Sequence, residues 1–201
     1  MFKPDDSFHM PKASWRFHLL SPSIRADDAQ SLVMSDLYSK SLHSRLTELT
    51  YPASYAGLHF GASTGDRGLH IELDGFNQKG KVLLERSLGL ISHFTPTREE
   101  FDTNSEALHR AYKNTTLSPP VSQASRLMSE AVWESYVPDH RKLVELNSIT
   151  FEDLTAFSKS IVSSRVIDGL CVGSITESEA MEAWALVNRL LPGVPCSRGK
   201  Q

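Results

Sequence analysis

Apolar and polar positions along the chain change period several times, and each change marks an element. Trp15, Phe17 and Leu19 alternate with Arg16 and His18, the two-residue period of a strand over residues 15–20. Over residues 27–49 the apolar positions Leu32, Val33, Leu37, Leu42, Leu46 and Leu49 recur at helical spacing, and Tyr51-Pro52 is expected to break that helix. Alternation returns at Leu58, Phe60 and Ala62 and runs up to Gly65-Asp66-Arg67-Gly68, where Asp66 and Arg67 read as turn residues. On the return strand Leu69, Ile71 and Leu73 are expected to face the core, with His70, Glu72 and Asp74 facing away.

From Gln78 the period is helical. Val82, Leu84, Leu88, Ile91 and Phe94 form one stripe. Thr97 with Glu100 makes a capping box that opens a second helix through Phe101, Leu108, Ala111 and Tyr112. After Pro119-Pro120 a third helix carries Ala124, Leu127, Met128, Ala131 and Val132. The methionines at helical spacing, with Trp133 and Trp184, are expected in the core. Thr150 with Asp153 caps a shorter helix, and Ile149 and Leu154 are spaced for a hydrophobic staple. The mostly apolar residues 166–172 read as a central strand. Thr176 with Glu179 caps a last helix with Ala180, Ala183, Trp184, Val187 and Leu190, stopped by Gly193. The order is strand, helix, strand, strand, several helices, strand, helix. That is an α+β fold on a split β-α-β plan, a mainly antiparallel sheet packed against several helices. Residues 1–193 are expected to form a single domain, and residues 194–201 a disordered tail.

Composition narrows the field by exclusion. A formal charge of −3 over 201 residues gives no reason to propose a nucleic-acid partner. No apolar run approaches the roughly 20 residues of a membrane span. Two cysteines, Cys171 and Cys196, make neither a disulfide framework nor a C-x-x-C pair, and both read as plain thiols of a cytoplasmic protein.

Catalytic signatures are missing from the sequence. It contains no G-x-x-x-x-G-K-[ST], no G-x-G-x-x-G, and neither H-E-x-x-H nor the inverted H-x-x-E-H, and its one G-x-S-x-G spacing, Gly61-Ala62-Ser63-Thr64-Gly65, runs into a hairpin turn and not the strand-to-helix turn of a nucleophile elbow. Zinc hydrolysis needs about three fixed ligands and a position for water, so no catalytic and no metal-ligating residue is assigned. One cluster still merits a test. Arg16, His18, His59, His70 and Glu72 fall on strands and could share a face, either as a polar surface that contacts peptide or as a His-His-His-Glu metal site. Arg16 among the ligands would oppose a cation. By residue pattern alone, the chain is an α+β domain without assigned chemistry.

Several stretches add a family resemblance. Phe2-Lys3-Pro4-Asp5-Asp6-Ser7-Phe8, then Pro11-Lys12-Ala13, resembles the lead-in to the third domain of zinc metallopeptidases of the insulinase/pitrilysin family. Tyr51-Pro52-Ala53-Ser54-Tyr55-Ala56-Gly57-Leu58 is similar to that family's Tyr-Pro-Ala-x-x-Ala-Gly-Leu. Gly65-Asp66-Arg67-Gly68-Leu69 and Asp74-Gly75-Phe76-Asn77-Gln78-Lys79 resemble its Thr-Gly-x-Arg-Gly-Leu turn and Gly-[Tyr/Phe]-Asn-Asp-Lys strand end, with Gln78 in place of the acid. The likeness extends to Gly169-Leu170-Cys171-Val172-Gly173-Ser174, where the family has Gly-Asn at the end, and covers about residues 2–192.

The resemblance implies four related α+β domains closing around a chamber, with zinc held by the first domain. This chain would then be the non-catalytic third, or middle, domain: no cofactor of its own, chamber wall, contacts to the other domains and to the trapped peptide. It would be a piece of a longer peptidase. The alternative is a free-standing non-catalytic subunit that binds a zinc-bearing partner chain.

Overall fold

The structure is a computed structural model and describes residues 1–195 apart from 6, 8, 9, 66 and 192. Asp66, Cys196 and residues 196–201 of the expected tail therefore lie outside the described residues. The elements run β1 (Phe2–Pro4), β2 (Lys12–Leu20), α1 (Ala29–Tyr55), β3 (Leu58–Thr64), β4 (Gly68–Phe76), α2 (Gly80–Ser92), α3 (Arg98–Lys113), α4 (Pro120–Val132), α5 (Asp139–Leu146), α6 (Phe151–Ser163), β5 (Ser164–Gly173), α7 (Glu177–Leu190) and β6 (Val194–Pro195). The sheet order is β1-β5-β2-β4-β3, with β6 added beside β5. β2 is antiparallel to both β4 and β5, and β3 is antiparallel to β4. β2 and β3 are thus parallel, joined through α1 and parted by β4, which is the expected split β-α-β unit.

Among the described residues, helices cover one side of the sheet and leave the other open. Trp15, Phe17 and Leu19 of β2 and Leu69, Ile71 and Leu73 of β4 point to the covered side and are buried with Leu37, Leu42, Leu84, Leu88, Leu154 and Val187 from the helices. Strand alternation sends the residues between them to the other side. Gly75 closes β4 at φ +129°, where a Cβ would lie 1.9 Å from the Gly57 carbonyl oxygen. Only glycine fits there.

The capping boxes form as expected: the Thr97 hydroxyl accepts from Glu100 N–H and the Glu100 carboxylate from Thr97 N–H, with Thr176 and Glu179 repeating the pattern. Thr150 and Asp153 exchange the same two bonds, and Ile149 and Leu154 are both buried beside them.

Several expectations need correction. α1 does not stop at Pro52 but continues to Tyr55. The proline removes one hydrogen bond, the one its N–H would donate to the Glu48 carbonyl, and with less than a turn of helix after it that loss does not end the helix. Val82 is exposed and its neighbour Leu83 takes the core position. Helix α5 was not anticipated, because Asp139-His140-Arg141-Lys142 masks the buried Leu146. Its anchor is polar: the Tyr112 hydroxyl of α3 and Lys142 of α5 both donate to Asp36 of α1, at 2.5 and 3.3 Å. Val194–Pro195, assigned to the tail, pairs in parallel with Ser164 and Arg165. The largest departure is α4. None of its residues is buried, and Leu127, Met128, Val132 and the adjacent Trp133 are 66–68% exposed instead of lying in the core. Met181 is likewise exposed, and Trp184 is half-buried. Among the described residues, no helix is long and apolar enough to cross a membrane.

Candidate functional site

The uncovered side of the sheet is assembled in rows by strand register. One row runs Asp168, His18, His70, Ser63 across β5, β2, β4 and β3. The next runs Leu170, Arg16, Glu72, Gly61, and the one after it Val172, Ser14, Asp74, His59. Each row is about 6.6 Å from its neighbour, two residues of strand rise.

This register brings four of the five candidate residues together and leaves one apart. His18 and His70 stack with ring centroids 3.9 Å apart and planes within 16°. Arg16, one row along, bonds Asp74 through Nη1 at 2.8 Å and lies 3.7 Å from Glu72 through Nε. His59 sits opposite Asp74, two rows and roughly 13 Å along the strands from the histidine pair. It cannot join them around one ion. Among the described residues, no group of three or more His, Cys, Asp or Glu side chains is placed to hold a metal.

The surroundings of His18 disfavour its protonated form. Burial, then the neighbouring His70 charge, push the His18 imidazole below its ordinary range, against a weaker opposite pull from Asp168. Its Nε2 is buried without a hydrogen-bond partner, the state in which a proton there is least welcome. Arg16, His18, Ser63, His70, Glu72, Asp168 and Leu170 line a shallow depression of about 420 Å³. With no activated nucleophile and no metal cluster among the described residues, the arrangement can offer ionic and hydrogen-bonding contacts to an extended polar ligand.

Asp168, Leu170 and Ser63 were missed as members of this face. Residues 166–172 read as a strand buried on both sides, yet Asp168 stood in that run as a polar residue at an alternate position, the signal of one open side.

A family model described as the middle or third domain of peptidase M16 matches residues 1–145. The chain belongs to the M16 peptidase family, as its middle domain. It is 31% identical over 98% of its length to nardilysin from Rattus norvegicus, of which it covers 17%. It is also 30% identical, over 89% of its length, to the insulin-degrading enzyme-like 2 protein of Arabidopsis thaliana, covering 18% of that protein. The crystal structure of pitrilysin superposes with a TM-score of 0.87 at 21% identity, over 96% of this chain and 20% of that one. An M16 domain from Pseudomonas fluorescens, itself described as inactive, superposes at 0.72 with 13% identity, over all of this chain and 50% of that one. The chain thus spans about a fifth or less of the length of nardilysin, the insulin-degrading enzyme-like 2 protein and pitrilysin, and about half of the Pseudomonas fluorescens protein, and the fold likeness extends over nearly all of this chain. Its helices cover one side of the sheet, and its polar side chains are ordered on the other.

Proposed function

We infer that the chain is a non-catalytic domain of a zinc metalloendopeptidase, in which the open sheet face forms part of the wall around the peptide. Zinc would be bound by another domain of the parent, and other domains of that polypeptide are the partners this reading requires. The observation that carries it is the one-sided sheet: a domain with its helices on one side presents an ordered polar surface on the other, with Arg16, His18, His70 and Glu72 in adjacent rows. A wall of this kind contributes by holding peptide near a distant metal and limiting its size, not by bond breaking. Cytoplasmic location belongs to the same reading, supported by Cys171 as a buried free thiol.

Two measurements test it. In the full-length parent peptidase, Arg16→Ala with Glu72→Ala should raise KM for peptide about three- to tenfold and leave kcat nearly unchanged, the pattern of lost uniform binding. The purified 201-residue chain should show no peptidase activity with added zinc. Chelator-sensitive activity in a homogeneous sample, or a stoichiometric zinc ligated by its own side chains, would overturn the non-catalytic assignment; unchanged KM would overturn the peptide-facing one.

A further inference from the structure

Helix α4 turns its polar side inward. Arg126 donates to the Thr115 carbonyl and to Ser118 Oγ at 2.9 and 3.1 Å, and Gln123 donates to the Thr116 and Ser118 carbonyls. Arg126 also lies 3.9 Å from Asp139 at the start of α5. The outward side carries Val121, Ala124, Leu127, Met128, Ala131 and Val132, every one of them exposed and none of them charged. Rotating the helix to bury this stripe would break the bonds that Arg126 and Gln123 make, so the domain's own contacts hold the stripe outward. A contiguous apolar surface of this kind marks a contact site, unlike single apolar residues scattered in water.

Two findings bear on what covers it. Helix α4 lies wholly within residues 1–145, the stretch that matches the middle domain of peptidase M16, so it is part of that domain and not an addition beside it. A middle domain has other domains next to it in its own polypeptide, and this chain spans only 17% of nardilysin and 18% of the insulin-degrading enzyme-like 2 protein. Tethering then decides between partners. A domain joined to its neighbour through the chain meets it at an effective concentration on the order of millimolar. A separate molecule must find the same face from dilute solution and give up its free translation and rotation to stay there. The tethered surface therefore fills the face first. Its chemistry follows from the stripe: a charge buried against Met128 and Val132 would find no counter-charge, so the facing surface is apolar at its centre.

We propose that the apolar face of α4 is an intramolecular interface, docked against an apolar surface of another domain of the same polypeptide. Such an interface requires the chain to be one domain of a longer peptidase, as the proposed function has it, but does not require the open sheet to face peptide.

Methionine oxidation in the full-length parent tests it. Met128 is 68% exposed within its own domain, and peroxide converts an accessible methionine to the sulfoxide. In the folded parent, shown to be monomeric by sedimentation at the same concentration, Met128 should be oxidised at least about tenfold more slowly than in the parent unfolded by urea. Val132→Glu sets a charge on the same stripe without touching any buried residue of α4. It should return Met128 to within about twofold of the unfolded rate, because docking would bury that charge unpaired. If this variant fails to fold, the unaltered parent still decides. Three results would each overturn the interface: oxidation of Met128 in the unaltered monomeric parent close to the unfolded rate, protection that appears only at concentrations where the parent dimerises, or protection that survives Val132→Glu in a folded variant. A protected Met128 together with a KM indifferent to Arg16 and Glu72 would remove the peptide-facing reading and leave this interface standing.

Discussion

The two sides of one sheet obey opposite rules. On the covered side Phe17, Leu19, Leu69, Ile71 and Leu73 are almost wholly buried. On the open side Arg16, Glu72 and Asp74 sit one residue away on the same strands and remain in water. The same backbone therefore carries residues whose removal is felt as lost packing, and residues whose removal is felt by a ligand or hardly at all. Stability belongs to the first set, and under the function proposed above recognition belongs to the second. Adjacent positions on β4 test this most sharply. Leu73→Ala should cost about 2–5 kcal/mol, the transfer loss plus the cavity left in a core that cannot fully collapse. Glu72→Ala, its neighbour, should stay within about 0.5 kcal/mol. Urea unfolding of both variants reads the difference directly; comparable losses would remove the distinction between the sides.

The end of β4 gives the next largest effect. Gly75→Ala places a Cβ 1.9 Å from the Gly57 oxygen at a φ of +129°, so the clash and the backbone strain add. A loss of about 2 kcal/mol or more is expected from this single methyl group. A variant as stable as the parent would mean that the β3–β4 connection yields easily and that Gly75 does not fix the register of the open face.

Most of the sheet and the capped helices were legible in the sequence, because alternation and capping boxes are local signals with a single reading. The alternation of residues 69–74 named both the buried and the open set on β4. Helix α4 shows where local signals end. A stripe of apolar residues at helical spacing gives the helix, but not what the stripe faces, and Met128 and Val132 read the same whether the partner is the chain's own core or another molecule. The candidate face was half-legible for a related reason. Arg16, His18, His70 and Glu72 follow from alternation within β2 and β4. The separation of His59 from the histidine pair depends on the β3–β4 register, which no short-range pattern fixes. Asp168 was hidden in an apolar run that suggested burial on both sides.

The histidine pair offers a smaller and more selective effect. His18 titrates below its ordinary range in the folded chain, so the unfolded chain takes up the proton first. Its contribution to stability is fully present above about pH 6.5 and is lost as pH falls from there toward the folded value. Unfolding free energy should therefore decline as pH falls below about 6.5, by a small amount for a partly solvated group. His18→Gln should flatten that slope. His70→Ala, by removing the neighbouring charge, should bring the folded value closer to the unfolded one and so shrink the decline. A stability profile unchanged by either substitution would mean the stacked rings are not coupled.

The smallest expected effect is also the one that separates the two sides most cleanly. Arg16 bonds Asp74 at 2.8 Å, but both side chains keep about two-fifths of their surface in water. Water and salt screen such a pair, and fixing a long side chain costs entropy, so Arg16→Gln should change stability by only about 0.2–1 kcal/mol. The loss should shrink further as ionic strength rises, because the Debye length falls from about 10 Å at 0.1 M to about 3 Å at 1 M. Leu73→Ala should show no comparable decline with salt, since nothing in its loss is Coulombic. Measuring both variants at two concentrations of sodium chloride thus sorts the residues by mechanism rather than by size of effect. If Arg16→Gln instead cost several kcal/mol at either concentration, the open face would have to be counted as part of the scaffold, and its ion pairs could not be read as surface kept available for a ligand.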